Sequence, residues 1–298
     1  MKKVVITWIS ERVHFIISCI LGLVKCCLGL KQKSEYLQYI FESSHLFFQL
    51  KLLKTLYFNF RTLPYKTAVK IPILIYGRCR FISLSGQIQI NYPIIEYGMI
   101  KIGISDCMRS YKDISIISIK GTMQLERNVT LRQGLRLSIN TNSFLKLEEG
   151  VYIGDNVTIY CYNHIYIGKY TRLAYNCLMM DTDFHYIINT ENYTIKRNQA
   201  SIEIGNGNWI GSYTTIKKGT KTPNNTIVVG PYSTLSKNYT STIQPNSIIA
   251  GNPARLIKEN LRRIFNPKSE EEINSFFSHN NDDTFQYIGK DIESYCLA

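Results

Sequence analysis

The clearest candidate for chemistry in this chain is a short run in which two carboxylates precede an imidazole. Asp181, Asp183 and His185 alternate along the sequence, so in an extended segment their side chains would lie on one side. A carboxylate beside an imidazole raises its basicity and fixes its tautomer, which a general base requires. The same residues could equally form a solvated surface patch. Which aspartate orients the histidine is open, and Asp183 is preferred.

The other histidines and the cysteines give weaker signals. His14, His45 and His279 lie outside the central part of the chain, which contains only His164 beside His185. A zinc site with three histidine ligands is therefore not expected. The eight cysteines form no CxxC pair, which favours reduced thiols in a cytoplasmic protein over a metal site.

The catalytic candidates lie within a long six-residue repeat. Six residues make a strand of about four plus a tight corner, and three such units close a triangular coil. The repeat therefore predicts a parallel β-helix, because the strands of a β-sandwich would lose phase after each hairpin. The aliphatic positions are Ile119, Leu125, Leu131 and Leu137, then Ile153 and Ile159, then after a slip of two residues Ile167, Leu173 and Met179, and finally Ile204, Ile210, Ile216, Thr222, Val228 and Thr234.

Three regions are predicted along the chain. Residues 1–65 form a basic helical region that Pro64 ends, residues 66–253 form the β-helix domain, and residues 254–298 hold a short helix and an acidic tail. The repeat breaks off at His185 and resumes at about Ile202. The excursion between them is either a disordered loop or an arm that covers an acceptor or reaches a neighbouring subunit.

The positive charge is concentrated near the N-terminus. The net charge is +13, and residues 1–80 hold 13 Lys and Arg against 3 Asp and Glu. Such an excess indicates an anionic partner, but no nucleic-acid-binding domain is recognisable. The apolar run at residues 13–24 is too short to span a bilayer. Residues 1–60 are either a helical cap on the β-helix or a segment held at an anionic membrane surface.

Two longer motifs accompany the repeat, one at residues 208–220 (NWIGSYTTIKKGT) and one at residues 245–258 (PNSIIAGNPARLIK). With the repeat, they resemble the hexapeptide-repeat acyltransferases over roughly residues 70–260. The resemblance implies a left-handed β-helix, usually trimeric, that moves an acyl group from a CoA thioester to a sugar hydroxyl or amine. The run Asp181-Thr-Asp-Phe-His is similar to members that O-acetylate cell-surface polysaccharides, which matches His185 to the catalytic histidine.

The resemblance also places acetyl-CoA along the motif at residues 208–220. Backbone N–H groups would stabilise the thioester oxyanion, an indole would wall the cleft, and basic side chains would meet phosphates. Each position also has a plainer interpretation, as a core aromatic residue or as solvated surface. The residues that we expect to bind the donor are Trp209, Gly211, Ser212, Lys217, Lys218 and Arg255.

Together, these features predict a mainly β protein, a left-handed parallel β-helix with an N-terminal helical segment and a short C-terminal helix. The expected activity is O-acetylation of a sugar hydroxyl in a cell-surface polysaccharide, with acetyl-CoA as donor and no metal. The alternatives are N-acylation of an amino sugar nucleotide and a non-catalytic β-helix scaffold. The expected partners are a glycan or lipid-linked sugar and further copies of the chain in a homotrimer, in the cytoplasm at the inner face of the membrane.

Overall fold

The computed structural model describes residues 49–105, 113–289 and 291–297. The apolar run at residues 13–24, together with His14 and His45, lies outside the described residues. Helix α1 (Leu52–Thr62) and the short helix α2 (Tyr65–Ala68) precede the first strand. Pro64 lies between them and directly precedes α2, so α1 ends where the sequence predicted.

The strands then wind through three parallel sheets. Within the described residues, the first sheet contains β1 (Ile73–Ile75), β4 (Ile100–Ile104), β7 (Val129–Arg132), β10 (Tyr152–Ile153), β13 (Arg172–Leu173), β16 (Trp209–Ile210), β19 (Ile227–Val228), β21 (Ile248–Ala250) and the antiparallel β22 (Arg255–Lys258). The second contains β2 (Arg78–Leu84), β5 (Ile114–Ile119), β8 (Arg136–Ile139), β11 (Thr158–Cys161), β14 (Leu178–Met180), β17 (Thr215–Lys217) and β20 (Thr234–Leu235). The third contains β3 (Gln87–Ile90), β6 (Thr122–Leu125), β9 (Phe144–Leu147), β12 (His164–Ile167), β15 (Ile202–Ile204) and β18 (Lys221–Thr222).

Each strand pairs with the strand one coil away, which stacks the aliphatic repeat into a buried ladder. In the second sheet, Leu137 pairs with Ile159, Ile159 with Met179, and Met179 with Ile216. All four side chains are buried. The parallel β-helix predicted from the sequence is confirmed.

One repeat position differs from the prediction. Leu235 takes the inward position expected of Thr234, since it pairs with Ile216 and is fully buried. The interval from Val228 to Leu235 is seven residues instead of six. The additional residue lies in the corner between β19 and β20.

The corners explain why the chain is rich in asparagine. Left-handed backbone costs a residue with a Cβ roughly 1–2 kcal/mol, and asparagine tolerates it best after glycine. Tyr213 and Tyr232 occupy the same kind of corner with φ of 60° and 62°, at greater cost. The corner asparagines with positive φ are Asn128, Asn142, Asn156, Asn176, Asn225 and Asn246.

Helix α1 closes the open end of the first sheet. Asn59 accepts a hydrogen bond from the backbone N–H of Ile73 at 3.2 Å and donates to its carbonyl at 2.7 Å, and Thr55 Oγ1 accepts from the N–H of Ile75 at 3.0 Å. Phe58 is fully buried between these contacts. In the described part of the N-terminal region, α1 therefore packs on the end of the β-helix.

Replacing Asn59 with alanine should destabilise this end of the β-helix. The variant would leave a buried N–H and a buried carbonyl of Ile73 without their partner, at a cost of about 1–3 kcal/mol. Chemical denaturation of both proteins measures the difference. Asn91→Ala, at an exposed position outside the residues with positive φ, controls for loss of an asparagine side chain; equal loss in both variants would contradict the capping role.

The C-terminal segment folds back after β22. Helix α3 (Pro267–His279) begins at Asn266, whose side chain accepts from the N–H of Lys268, and helix α4 (Ile292–Cys296) follows. The predicted C-terminal helix is thus present as two short helices among the described residues.

Across all the described residues, from α1 to α4, none of the helices is long and apolar enough to cross a membrane.

Candidate active site

The excursion at residues 181–201 is an ordered hairpin, hereafter called the arm. It leaves the coil after β14 and returns at β15, and antiparallel bridges join Thr182 to Gln199 and Ile188 to Ile195. Asn189 Oδ1 accepts from the N–H groups of Glu191 and Asn192 at the tip. The sequence interpretation as an arm is therefore preferred over a disordered loop.

Asp181 lies at the base of the arm and points into the protein. Its two carboxylate oxygens accept from the N–H groups of Tyr162 at 2.7 Å and Asn163 at 2.8 Å. The side chain is fully buried, and this burial raises the pKa of the Asp181 carboxyl above its ordinary value. Tyr162 and Asn163 form the two-residue slip in the repeat, so Asp181 closes the irregular corner and does not flank the imidazole.

Asp183 is paired with a lysine instead of the histidine. Its carboxylate lies 2.7 Å from Lys218 Nζ, which also donates to the carbonyl of Arg197 at 3.0 Å. Phe184 has a φ of 61°, so the segment is not extended as the sequence pattern predicts. Asp181 points into the protein, whereas Asp183 and His185 line one cleft.

The His185 imidazole is exposed in the wall of a polar cleft. The cleft has a volume of about 360 Å³, and its lining includes Asp183, His185, Lys196, Arg197, Asn198 and Lys218. The backbone N–H of His185 donates to the carbonyl of Asp183 at 2.7 Å. The ring makes no hydrogen bond to any residue that the structure describes. Both ring nitrogens are therefore available to a bound molecule.

The backbone N–H groups of Gly211 and Ser212 are predicted to bind the donor, and one of the two already has a hydrogen-bond partner. The N–H of Gly211 donates to the carbonyl of Val228 at 2.9 Å, so it is not free to bind an oxyanion in this structure. A Cβ at this position would lie 2.6 Å from that same oxygen, and this close approach explains the glycine. The N–H of Ser212 has no partner among the described residues, and it remains a candidate for the oxyanion site.

Trp209 is covered by the C-terminal segment. Its ring lies on the outer side of β16 and is 39% exposed, so it is not a core aromatic residue. The guanidinium of Arg263 lies 4.8 Å from the indole centroid and 4.5 Å from the ring of Phe265. Burial lowers the pKa of Arg263. Nothing in the sequence pattern predicted this contact.

Of the predicted donor residues, Lys218 lines the same cleft as His185, and the other five are not part of its lining. Ser212 lies at the corner between the first and second sheets, and Lys218 lies with His185 at the corner between the second and third. Strand β17 separates these corners, and six residues of extended chain span up to about 20 Å. Lys217 and Arg255 are exposed, and neither forms an ion pair in the described ranges.

Neither His164 nor the described cysteines add a second reactive centre. His164 is exposed on β12 and packs its ring 4.9 Å from that of Phe144. Burial raises the pKa of the Cys161 thiol to about 12 and those of Cys79 and Cys177 to about 11, so these thiols are poor nucleophiles. The described ranges hold no group of three or more residues arranged to bind a metal ion.

In comparisons with known proteins, this chain is similar to solved structures only. No protein-family model and no curated protein matches the chain. The polySia-specific acetyltransferase NeuO is 17% identical over 70% of this chain and 94% of its own, with a TM-score of 0.34. The polysialic acid O-acetyltransferase OatWY is 24% identical over 68% and 98%, also at 0.34. The N-acyltransferase AntD from Bacillus cereus is 15% identical over 71% and 89%, at 0.35.

Proposed function

We propose that this chain is a CoA-dependent O-acyltransferase that moves an acetyl group from acetyl-CoA to a sugar hydroxyl of a cell-surface polysaccharide. The observation that carries the proposal is the His185 imidazole, which is exposed in a polar cleft and has no hydrogen-bond partner among the described residues. A base in this position is available to the proton of a bound hydroxyl. The cleft lies on an ordered arm of a β-helix, which fixes the position of the imidazole relative to the coils.

In the proposed reaction, His185 removes the proton from the acceptor hydroxyl as its oxygen attacks the thioester carbonyl. The C–O bond forms, the C–S bond breaks, and the thiolate leaves with the proton that the imidazole carried. The N–H of Ser212 would stabilise the oxyanion of the tetrahedral intermediate. Transfer is direct, since the described cysteines are buried and their raised pKa values keep them protonated.

A complete site on this proposal requires more than one copy of the chain. Ser212 and His185 lie at different corners of the coil, so the N–H group and the imidazole of one chain do not face the same substrate. We propose a homotrimer in which the arm of one copy brings His185 to the Ser212 corner of the next. The exposed side chains of Lys217 and Arg255 would then meet the phosphates of CoA.

The proposed activity is tested by incubating the purified chain with acetyl-CoA and a panel of glycans and amino sugar nucleotides. Thiol release, together with a product heavier by one acetyl group, is the expected result. Hydroxylamine then cleaves an ester and leaves an amide, which separates O- from N-acylation. If no acceptor supports thiol release and CoA does not raise the melting temperature, the chain is a scaffold and the proposal is wrong.

We also propose that the N-terminal region holds the protein at the inner face of the membrane. Along α1, Leu53 is 81% exposed and Tyr57 is 56% exposed, and Phe60 continues the same stripe one turn later. Lys51 and Arg61 are exposed at the two ends of the helix. An apolar stripe flanked by basic side chains is typical of a helix that lies in the interface of an anionic bilayer.

Replacing Leu53 and Tyr57 together with serine should weaken binding to anionic vesicles by at least about tenfold, because each buried apolar side chain contributes about 1.5–3 kcal/mol at full burial. Flotation with phosphatidylglycerol vesicles measures the bound fraction. Ile94→Ser, at a position 65% exposed elsewhere on the surface, is the matched control. Unchanged flotation of the double variant would contradict a membrane role for α1.

A further inference from the structure

The cleft beside His185 carries a surplus of positive charge. Its lining includes three cationic side chains, Lys196, Arg197 and Lys218, and one carboxylate, Asp183. Asp183 and Lys218 lie 2.7 Å apart and neutralise each other. Lys196 and Arg197 form no ion pair with any residue that the structure describes, so two positive charges remain beside the imidazole.

These two charges are not offset by the rest of the arm. Between residues 186 and 201 the sequence has one acid, Glu191, which lies at the tip and is not part of the cleft lining. Lysine and arginine on an exposed hairpin are ordinarily solvated, and that interpretation would suffice if they lay elsewhere on the arm. Both, however, line the same cleft as the proposed base.

The position of the charges favours an anionic ligand. An anion bound between the two cations and the imidazole would neutralise their charge and would lie next to the proposed base. Neutral polar groups that also line the cleft, Asn189, Asn192 and Thr194, offer hydrogen bonds to sugar hydroxyls.

From this geometry we infer that the acceptor is an anionic sugar, one that carries a carboxylate or phosphate close to the hydroxyl that is acylated. Arg197 and Lys196 bind the anionic group while the hydroxyl faces His185. Guanidinium groups bind carboxylates and phosphates through paired hydrogen bonds, which fixes the orientation of the sugar as well as its affinity. The inference rests on the proposed acyltransferase function and adds the chemical class of its substrate.

The test uses acceptors in matched pairs that differ only in charge. Oligosaccharides of glucuronic acid and of sialic acid are compared with the same molecules after reduction of their carboxylates to alcohols. A phosphorylated oligosaccharide is compared before and after phosphatase treatment, which separates the two sources of negative charge. We expect KM to be at least about tenfold lower for the charged member of one pair and to rise with salt only for that member.

Variants of the cleft cations provide the second part of the test. Lys196→Gln and Arg197→Gln should each raise KM for the charged acceptor by roughly tenfold, since each removes one charge-assisted contact, and should not raise KM for the neutral member of the same pair. Lys120→Gln and Arg136→Gln are the matched controls, because both side chains are exposed on earlier coils.

Two outcomes overturn the inference, and they are distinguishable. Equal KM values within every acceptor pair, or equal effects of the cleft and control variants, would show turnover without recognition of charge and would contradict only the anionic acceptor. Absence of thiol release with every acceptor, charged and neutral, would contradict the acyltransferase itself.

Discussion

Replacing His185 with alanine should reduce acyl transfer by about 10²–10⁴-fold, the range expected for loss of a general base. The fold should be unaffected, because the ring is exposed and makes no hydrogen bond to the described residues. Initial rates of thiol release from acetyl-CoA measure the first effect, and a thermal melt measures the second. Direct attack by the hydroxyl depends on removal of its proton, so the loss should appear mainly in kcat.

His164→Ala is the matched control for this prediction. His164 is also exposed and also lies in the β-helix, but it packs on Phe144 and is not part of the cleft lining. Its replacement should leave the rate within about twofold of the wild type, a difference well under 1 kcal/mol in the barrier. Near-normal turnover in the His185 variant, or equal losses in both variants, would show that His185 is not the base.

The second large effect is expected at Asp181, and it should be one of stability. Alanine at this position would leave the buried N–H groups of Tyr162 and Asn163 without acceptors, at about 1–3 kcal/mol for each. The free energy of unfolding should therefore fall by roughly 2–6 kcal/mol. Denaturant unfolding measures this loss, and thiol release measured below the melting transition should remain close to that of the wild type.

Two further variants test whether Asp181 is structural. Asp181→Asn keeps one acceptor oxygen and should lose about half as much stability. Asp183→Ala removes a partly exposed ion pair with Lys218 and should change the free energy of unfolding by no more than about 1 kcal/mol. A large fall in kcat for Asp181→Asn, with an unchanged melting temperature, would show that Asp181 has the catalytic role that the sequence pattern suggested.

The fold could be predicted from the sequence because the signal is local and repeated. Each hexad places one aliphatic side chain inward, so Ile153, Leu173 and Ile210 each report the same geometry independently, and an error at one corner does not affect the others. The one misplaced position, Thr234, follows an irregular corner where the interval lengthens to seven residues. A single inserted residue cannot be recognised from the repeat until a later coil shows the six-residue spacing again.

The six-residue pattern alone predicts the β-helix, the ladder of buried aliphatic residues and the break in the repeat at His185. The folded chain adds that Asp181 binds the backbone of the preceding coil, that Asp183 pairs with Lys218, and that the N–H of Gly211 donates to Val228. These contacts form because stacking brings together residues about one coil apart in sequence. Spacing within one strand identifies which side chains share a face, but not which hydrogen-bond partners the neighbouring coils supply.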